Sequence, residues 1–150
     1  MSSLLGVSQK CQYALRALFE LALRYPTENV TTVAEIAEKQ QIPLRFLEQI
    51  LSKLRVGGYI ESRRGNQGGY VMTTSPSSIS VGEIIRFIEG HNESIDCLKK
   101  TGRCPFVGGC AFKDLWERAR SSLTDIFDGT SFQDLVDKQN KTDCLADYII

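Results

Sequence analysis

Apolar positions recur at helical spacing through the first third of the chain, which indicates a series of amphipathic helices. The first stripe predicts a helix from about Ser8 to Arg24, because Pro26 cannot continue it. Thr32 and Glu35 form a capping box, so a second helix begins there and runs to about Gln40. The chain therefore opens with two helices joined by a short connection.

A third helix follows almost at once. Pro43 suits the first position of a helix, and Gly57 and Gly58 end it. This arrangement is typical of a helix-turn-helix, in which the second helix of the pair enters the major groove of DNA, although an ordinary pair of packed helices shares the pattern. The apolar stripe of the third helix consists of Leu44, Leu47, Leu51 and Leu54.

The pattern then changes to short β-type runs. Residues 59–63 and 70–73 are predicted to be two strands, and the connector between them, 64–69, contains three glycines and an asparagine that permit a positive-φ turn. A hairpin directly after a helix-turn-helix predicts a winged helix, here with a basic tip at Arg63 and Arg64.

The C-terminal half returns to helical patterning. A second capping box, Ser80 with Glu83, begins a short helix that ends at Gly90. Residues 91–111, the cysteine segment below, form a loop, and a loop of that length usually has a function. The helix predicted over 112–127 carries an apolar stripe wide enough to pack on its own chain and on a second copy, and only a short turn over 130–136 is expected after it.

These elements predict a mainly α fold with a small β wing, in which a winged helix-turn-helix is followed by a long dimerisation helix. We expect three regions: residues 1–75 form the DNA-binding part, 76–137 hold the cysteine segment and dimerisation helices, and 138–150 form a C-terminal tail.

Composition and charge agree with a DNA-binding role for the first half. The 150 residues are 42% hydrophobic and 24% charged, which suits one compact domain. No signal peptide or membrane-spanning window is evident, so we expect a cytoplasmic protein without a membrane partner. Net charge is zero, with 18 basic and 18 acidic residues, but residues 1–75 hold nine basic and six acidic residues, five of the basic ones between Arg45 and Arg64.

Three cysteines, Cys97, Cys104 and Cys110, share the glycine-rich cysteine segment. Thiolates are soft ligands that select iron–sulfur clusters, zinc or copper(I). The total of five cysteines is odd, and in a reducing compartment they are better explained as metal ligands, redox thiols or packed side chains than as a disulfide framework. We favour an iron–sulfur cluster and keep a structural zinc and a clusterless thiol switch as alternatives.

Several runs of the sequence, taken together, resemble the IscR/NsrR family of bacterial iron–sulfur winged-helix transcription regulators. The resemblance covers residues 8 to about 137. The recognition segment and the wing are specific in combination. The runs are YALRA at 13–17, IPLRFLEQILSKL at 42–54, RGNQGGY at 64–70, VGEII at 81–85 and the cysteine segment.

The resemblance implies a homodimer that binds double-stranded DNA at a palindromic operator, with the state of a cluster changing that binding. Arginine can pair with guanine, glutamate with cytosine and glutamine with adenine, and the family's wing arginine enters the minor groove. We expect Lys53 and Arg63 to contact phosphates. The groove-contacting positions of the family fall on Arg45, Phe46, Glu48, Gln49 and Arg64.

The same resemblance assigns Cys97, Cys104 and Cys110 as ligands of the cofactor, an iron–sulfur cluster for which 2Fe–2S is favoured and 4Fe–4S is possible. Lys113 stands where the best-known 2Fe–2S member has its histidine ligand, and a protonated ammonium cannot bind iron. Some relatives recruit a fourth ligand from the partner's first helix. The main candidates here are Cys11, Gln12 and His91, the only histidine, and Cys144 or an acidic side chain such as Asp96 is a further alternative.

The leading hypothesis is therefore a dimeric transcription regulator controlled by an iron–sulfur cluster. The rival is a small iron–sulfur or zinc-binding carrier or assembly accessory, which would not need Arg64 on a glycine-rich wing. An enzyme with a small-molecule substrate is not expected, because the sequence has no phosphate loop and no histidine-supported nucleophile.

Overall fold

The computed structural model describes residues 6–26, 29–65, 68–90, 104–106 and 108–147. These residues form a mainly helical fold with one two-stranded antiparallel sheet, as the sequence predicts. None of the described helices has the length and apolar character to cross a membrane. The elements are α1 (Gln9–Ala22), α2 (Val33–Gln40), α3 (Leu44–Val56), β1 (Ile60–Arg63), β2 (Gly69–Met72), α4 (Val81–Glu89), α5 (Lys113–Asp128) and α6 (Phe132–Asp147).

Helix α1 lies at the centre of the fold and packs against α2, α3, α4 and α6. The Ser8 side chain caps its start by accepting from the Cys11 amide, and the predicted capping box of Thr32 and Glu35 begins α2. Gln41 then adopts a left-handed conformation, with φ of 53°, and this residue turns the chain from α2 into α3. The helix-turn-helix therefore consists of α2 and α3, and both helices pack against α1.

The two strands form the wing. Ile60 pairs with Met72 and Arg63 with Gly69. Thr31, just before α2, exchanges two backbone hydrogen bonds with Tyr70, at 3.0 and 2.9 Å, so the wing is joined to the helical core. Gly69 is required at this junction because a Cβ there would lie 2.6 Å from the carbonyl oxygen of Thr31.

Helices α4 and α5 meet through a close contact at Gly82 and Asp128 and through an ion pair, in which the Arg86 guanidinium lies 2.7 Å from the Asp128 carboxylate. Ser80 caps α4 by accepting from the Glu83 amide, whereas the Glu83 carboxylate, which was expected to complete a capping box, accepts from the Tyr59 hydroxyl instead. No residue of α5 is buried in the single chain, so this helix projects from the core that the other helices share.

Two expectations were wrong. Leu44, expected in the apolar stripe of α3, is 54% exposed, and the buried face of that helix includes Ile50 instead. The short turn and polar tail expected after residue 130 are instead the 16-residue helix α6, which reaches Asp147. Its second half has no apolar stripe and is supported by side-chain pairs one turn apart, such as Gln139 and Asp143 at 2.7 Å, so hydrophobic periodicity could not detect it.

Candidate nucleic-acid interface and cysteine segment

The exposed face of α3 carries the predicted base-contacting side chains. Leu47, Ile50, Leu51 and Leu54 are buried and fix the helix on the core. Arg45, Glu48 and Gln49 are spaced at i, i+3 and i+4, so they share one face of the helix, and all three are exposed. The structure therefore brings a cation, a carboxylate and an amide together on one solvent-facing surface.

Aromatic stacking organises the start of α3. The Arg45 guanidinium lies 4.6 Å from the centre of the Phe46 ring, and the Phe46 ring centre is 6.2 Å from that of Tyr13 on α1. The Gln9 side-chain amide donates to the Tyr13 hydroxyl at 2.9 Å. Helical periodicity places Tyr13 on the apolar stripe of α1 but does not show which neighbour its ring touches.

The wing presents two arginines with different surroundings. Arg63 lies 2.9 Å from the Glu61 carboxylate, and both side chains are close to half exposed. Arg64 is exposed in the last described residues before the wing tip, and Gly65 follows it. Residues 66 and 67 of the predicted turn lie outside the described residues.

Lys53 is half-buried between α3 and α4. Its ammonium donates to the carbonyl oxygen of Ile88 at 3.0 Å and lies 5.5 Å from the centre of the Phe87 ring. The side chain thus joins the last turn of α3 to the last turn of α4. Lys53 was expected to contact a phosphate, whereas its ammonium contacts Ile88 of the same chain, a partner that no local sequence pattern indicates.

Two of the three predicted cysteine ligands are described. Cys104 and Cys110 are half-buried and adjoin turns before α5, whereas Cys97 and His91 lie outside the described residues. The Cys110 carbonyl accepts from the Lys113 amide at 3.2 Å. In the described part of the chain, no group of three or more histidine, cysteine or acidic residues is close enough to hold a metal ion.

The two candidate fourth ligands on α1 differ in their surroundings. Cys11 is fully buried, and burial together with the nearby Glu89 carboxylate raises the pKa of its thiol to about 12. Gln12 is exposed, and its side-chain amide donates to the Val7 carbonyl at 3.4 Å. The thiol faces its own core, whereas the amide faces outward.

Helix α5 displays large apolar side chains to solvent. Phe112, just before the helix, stacks on Trp116 with ring centres 6.0 Å apart. Leu115 and Ile126 are 51% and 61% exposed. Leu123 and Phe127 are half-buried instead.

Comparison with known protein families decides the identity. A model of the Rrf2 family, described as iron-dependent transcriptional regulators, matches residues 7–138. The chain belongs to the Rrf2 family. It is accordingly a DNA-binding transcriptional regulator, and the resemblance to IscR-type regulators is confirmed.

Relatives of this Rrf2 chain include IscR and CymR regulators. The regulator IscR of Aliivibrio salmonicida is 36% identical over 132 residues, covering 87% of this chain and 76% of that protein. The regulator CymR of Bacillus subtilis is 33% identical over 129 residues, covering 86% and 88%.

Solved structures confirm the fold. The structure of IscR from T. potens superposes with a TM-score of 0.72 at 30% identity, covering 91% of this chain and 89% of that one. The structure of CymR, described as the global cysteine regulator of B. subtilis, gives a TM-score of 0.74 at 33% identity and covers 88% and 96%. The winged-helix architecture is therefore shared with both of these structures, and the two relatives are described as transcriptional regulators.

Proposed function

We propose that this Rrf2 regulator is a homodimer that binds a palindromic operator through α3 and the wing of each subunit, under control of an iron–sulfur cluster in the cysteine segment. The observation that carries the DNA-binding part is the exposed face of α3 with Arg45, Glu48 and Gln49 opposite its buried leucines. A helix fixed on one side by the core and polar on the other is suited to enter a major groove.

The side chains have separate roles in this proposal. Arg45 pairs with guanine, Glu48 accepts from cytosine and Gln49 pairs with adenine. Phe46 restricts the conformation of the Arg45 side chain, since its ring lies against the guanidinium. Because it is exposed on the wing, Arg64 reaches the minor groove, and Arg63 exchanges its weak surface ion pair with Glu61 for a phosphate.

The dimer is proposed to form through α5. An amphipathic helix without a single buried residue leaves its apolar side uncovered in the monomer. Four large apolar side chains on or next to it, Phe112, Leu115, Trp116 and Ile126, are exposed, and a second copy of α5 would cover them. In this arrangement residues 1–75 read the DNA and residues 76–137 hold the two subunits together.

The donor chemistry of the cysteine segment suits an iron–sulfur cluster. Thiolates bind iron, and Cys104 and Cys110 are half-buried, which limits access of solvent to a bound group. Cys97, Cys104 and Cys110 would hold the cluster, and the cluster would supply a centre sensitive to oxidation or to loss of iron. The family description and the IscR relatives support this assignment.

For the fourth ligand, we favour Gln12 of the partner's α1 over Cys11. The side chain of Gln12 is exposed, whereas Cys11 would have to leave its own core and lose a proton that burial holds firmly. His91 remains a candidate within the cysteine segment.

A second candidate function has its own support. The CymR structure, which matches 96% of its length to this chain, is described as that of a cysteine regulator, so a clusterless thiol regulator is the alternative. The carrier hypothesis has no comparable support.

One experiment separates these functions. We expect anaerobic purification to give a coloured dimer with iron and sulfide in equal amounts, and selection from random duplexes to yield a palindromic site. Colourless protein that still selects a palindrome would favour the thiol regulator. Protein that carries iron but selects no sequence would favour the carrier.

A further inference from the structure

The last turn of α4 contacts the end of α3. The final four carbonyl groups of a helix lack partners within it, and a cation near that end is favourable. The Lys53 ammonium meets the Ile88 carbonyl at 3.0 Å, within this final turn. Lys53 itself lies in the last turn of α3, so one hydrogen bond joins two helix ends.

Aromatic packing strengthens the same junction. Phe87 lies 5.1 Å, centre to centre, from the Tyr59 ring, and a Cβ at Gly57 would lie only 2.5 Å from a Phe87 ring atom. The Tyr59 hydroxyl donates to the Glu83 carboxylate at 2.9 Å. The exit from α3 towards β1 therefore sits directly on α4, without space between them.

Glu89, the last residue of α4, extends the junction to α1. Its carboxylate accepts from the Ser8 amide at 2.7 Å, next to the buried Cys11 thiol. The end of α4 thus contacts the start of α1 and the end of α3, and α3 is the helix that carries the proposed base-contacting residues. After Glu89 and Gly90 the chain enters the cysteine segment.

We propose that Lys53 is a positioning residue and does not contact a phosphate. Its hydrogen bond to Ile88 joins α3 to the end of α4, and through this bond the state of the cysteine segment is transmitted to the exposed face of α3. This inference rests on the proposed function. A displacement of the last turn of α4 moves the Ile88 carbonyl, and the hydrogen bond carries that movement to α3.

The test compares Lys53→Met with Arg55→Met, which removes a charge from the same turn of α3 at an exposed position. Each protein is studied after anaerobic purification and after removal of iron with a chelator, on a duplex selected by the wild type. For the wild type we expect the two states to differ in Kd by about five- to 150-fold, the usual range of coupling between sites. Lys53→Met should bring this ratio close to one, Arg55→Met should preserve it, and Lys53→Arg should restore it in part.

Two further measurements distinguish the Lys53–Ile88 hydrogen bond, called the tether below, from a phosphate contact. The salt dependence of DNA binding should be unchanged in Lys53→Met, whereas loss of a phosphate contact lowers the slope by about one per subunit. In chelator-treated protein without DNA, amides of residues 53–58 and 84–90 should exchange about tenfold faster in Lys53→Met than in Arg55→Met, because a charged hydrogen bond restrains local opening.

The outcomes are distinct. A Kd ratio that survives in Lys53→Met, a lowered salt slope or unchanged exchange would each overturn the tether while leaving the proposed function intact. A wild-type ratio of one would remove cluster control itself and the tether with it.

Discussion

The guanidinium of Arg45 lies 4.6 Å from the centre of the Phe46 ring, and the two residues are neighbours in the first turn of α3. A ring face under a guanidinium holds that side chain in a limited set of positions and leaves its N–H groups free to pair with a base. Preorganisation of this kind lowers the entropy lost on binding. The stacking therefore makes Phe46 a support for Arg45.

Replacing Arg45 by alanine should weaken binding to the selected operator by about 1–3 kcal/mol and relax the preference at one base position. Phe46→Ala should cost less, about 0.5–1 kcal/mol for the lost cation–π contact, at the same position. Binding to randomised sites at each position measures both. Tyr13→Phe is the control, because it keeps the ring contact with Phe46 and removes only the hydroxyl bond to Gln9. Equal losses on operator and random DNA would rule out base reading by Arg45.

Arg64 should prefer a narrow minor groove. Such grooves occur at A-tracts and attract arginine, so Arg64→Ala should weaken binding more when the flank beside the wing is A·T-rich than when it is G·C-rich. Arg63→Ala is the matched variant one residue earlier in the wing. It should lower affinity similarly on both flanks and reduce the salt slope, as a phosphate contact does. No difference between flanks for Arg64→Ala would place Arg64 outside the minor groove.

The fold was predictable where hydrophobic periodicity and local rules agree. The capping box at Thr32 and Glu35 and the hairpin follow from short-range chemistry, and both are present. Helix α6 was missed beyond residue 137 because its second half is mostly polar and carries no periodic apolar stripe. The exposure of Leu44 shows that helical spacing identifies a face but does not fix where the face ends.

The site was predictable in its residue types and less so in its contacts. The helical spacing of Arg45, Glu48 and Gln49 predicts that they share one face of α3, and all three are exposed there in the structure. It could not reveal that Lys53 donates to Ile88, because the two residues are 35 positions apart and meet only through the packing of α4 on α3. Long-range partners of long cationic side chains leave no trace in local sequence patterns.

Dimerisation should depend on the exposed side of α5. Leu115→Asp combined with Ile126→Asp places two charges among apolar side chains, so sedimentation should show monomers at micromolar concentration and weak operator binding. Leu145→Asp on α6 is the control, since Leu145 is 66% exposed but lies on a different helix. A wild-type monomer, or a dimer that persists in the double variant, would contradict the proposed interface.

Stability should fall at alkaline pH. Burial and the Glu83 hydrogen bond raise the pKa of Tyr59 from 10.0 to about 12, so the folded state holds this proton more tightly than the unfolded state. Its contribution is complete below the ordinary pKa of 10.0 and is lost as pH rises towards about 12. Tyr59→Phe should lower the free energy of unfolding by about 1 kcal/mol at neutral pH and flatten its decline above pH 10.

Urea titrations at a series of pH values measure this effect. The Cys11 thiol acts in the same direction, with its pKa raised from 9.0 to about 12, so part of the alkaline decline should remain in Tyr59→Phe. An unchanged decline in that variant would mean that the hydroxyl is not linked to folding.

The cysteines should differ in their effect on cluster colour. We expect Cys97→Ser, Cys104→Ser and Cys110→Ser each to abolish the absorption of anaerobically purified protein, because three thiolates form most of the proposed ligand set. Cys144→Ser should leave it unchanged, since Cys144 is exposed on α6, well beyond the cysteine segment in sequence. Retained colour in any of the first three would remove that residue from the ligand set.

The fourth ligand is tested by the neighbours on α1. Gln12→Ala should change the absorption and circular dichroism of the cluster, because an exposed amide can reach a partner subunit. Cys11→Ala should leave the spectrum unchanged and affect only stability, because that side chain is fully buried in its own subunit.

Mixed dimers of one Gln12→Ala subunit and one Cys104→Ser subunit decide whether the ligand crosses the interface. In such a dimer the intact cysteine segment belongs to the Gln12→Ala subunit. If the partner supplies the ligand, the cluster spectrum should be unchanged when the Cys104→Ser subunit retains Gln12 and altered when that subunit also carries Gln12→Ala. Altered spectra in Cys11→Ala or in a His91→Ala variant, with Gln12→Ala unaffected, would exclude Gln12 and leave cluster and DNA-reading face coupled within one subunit.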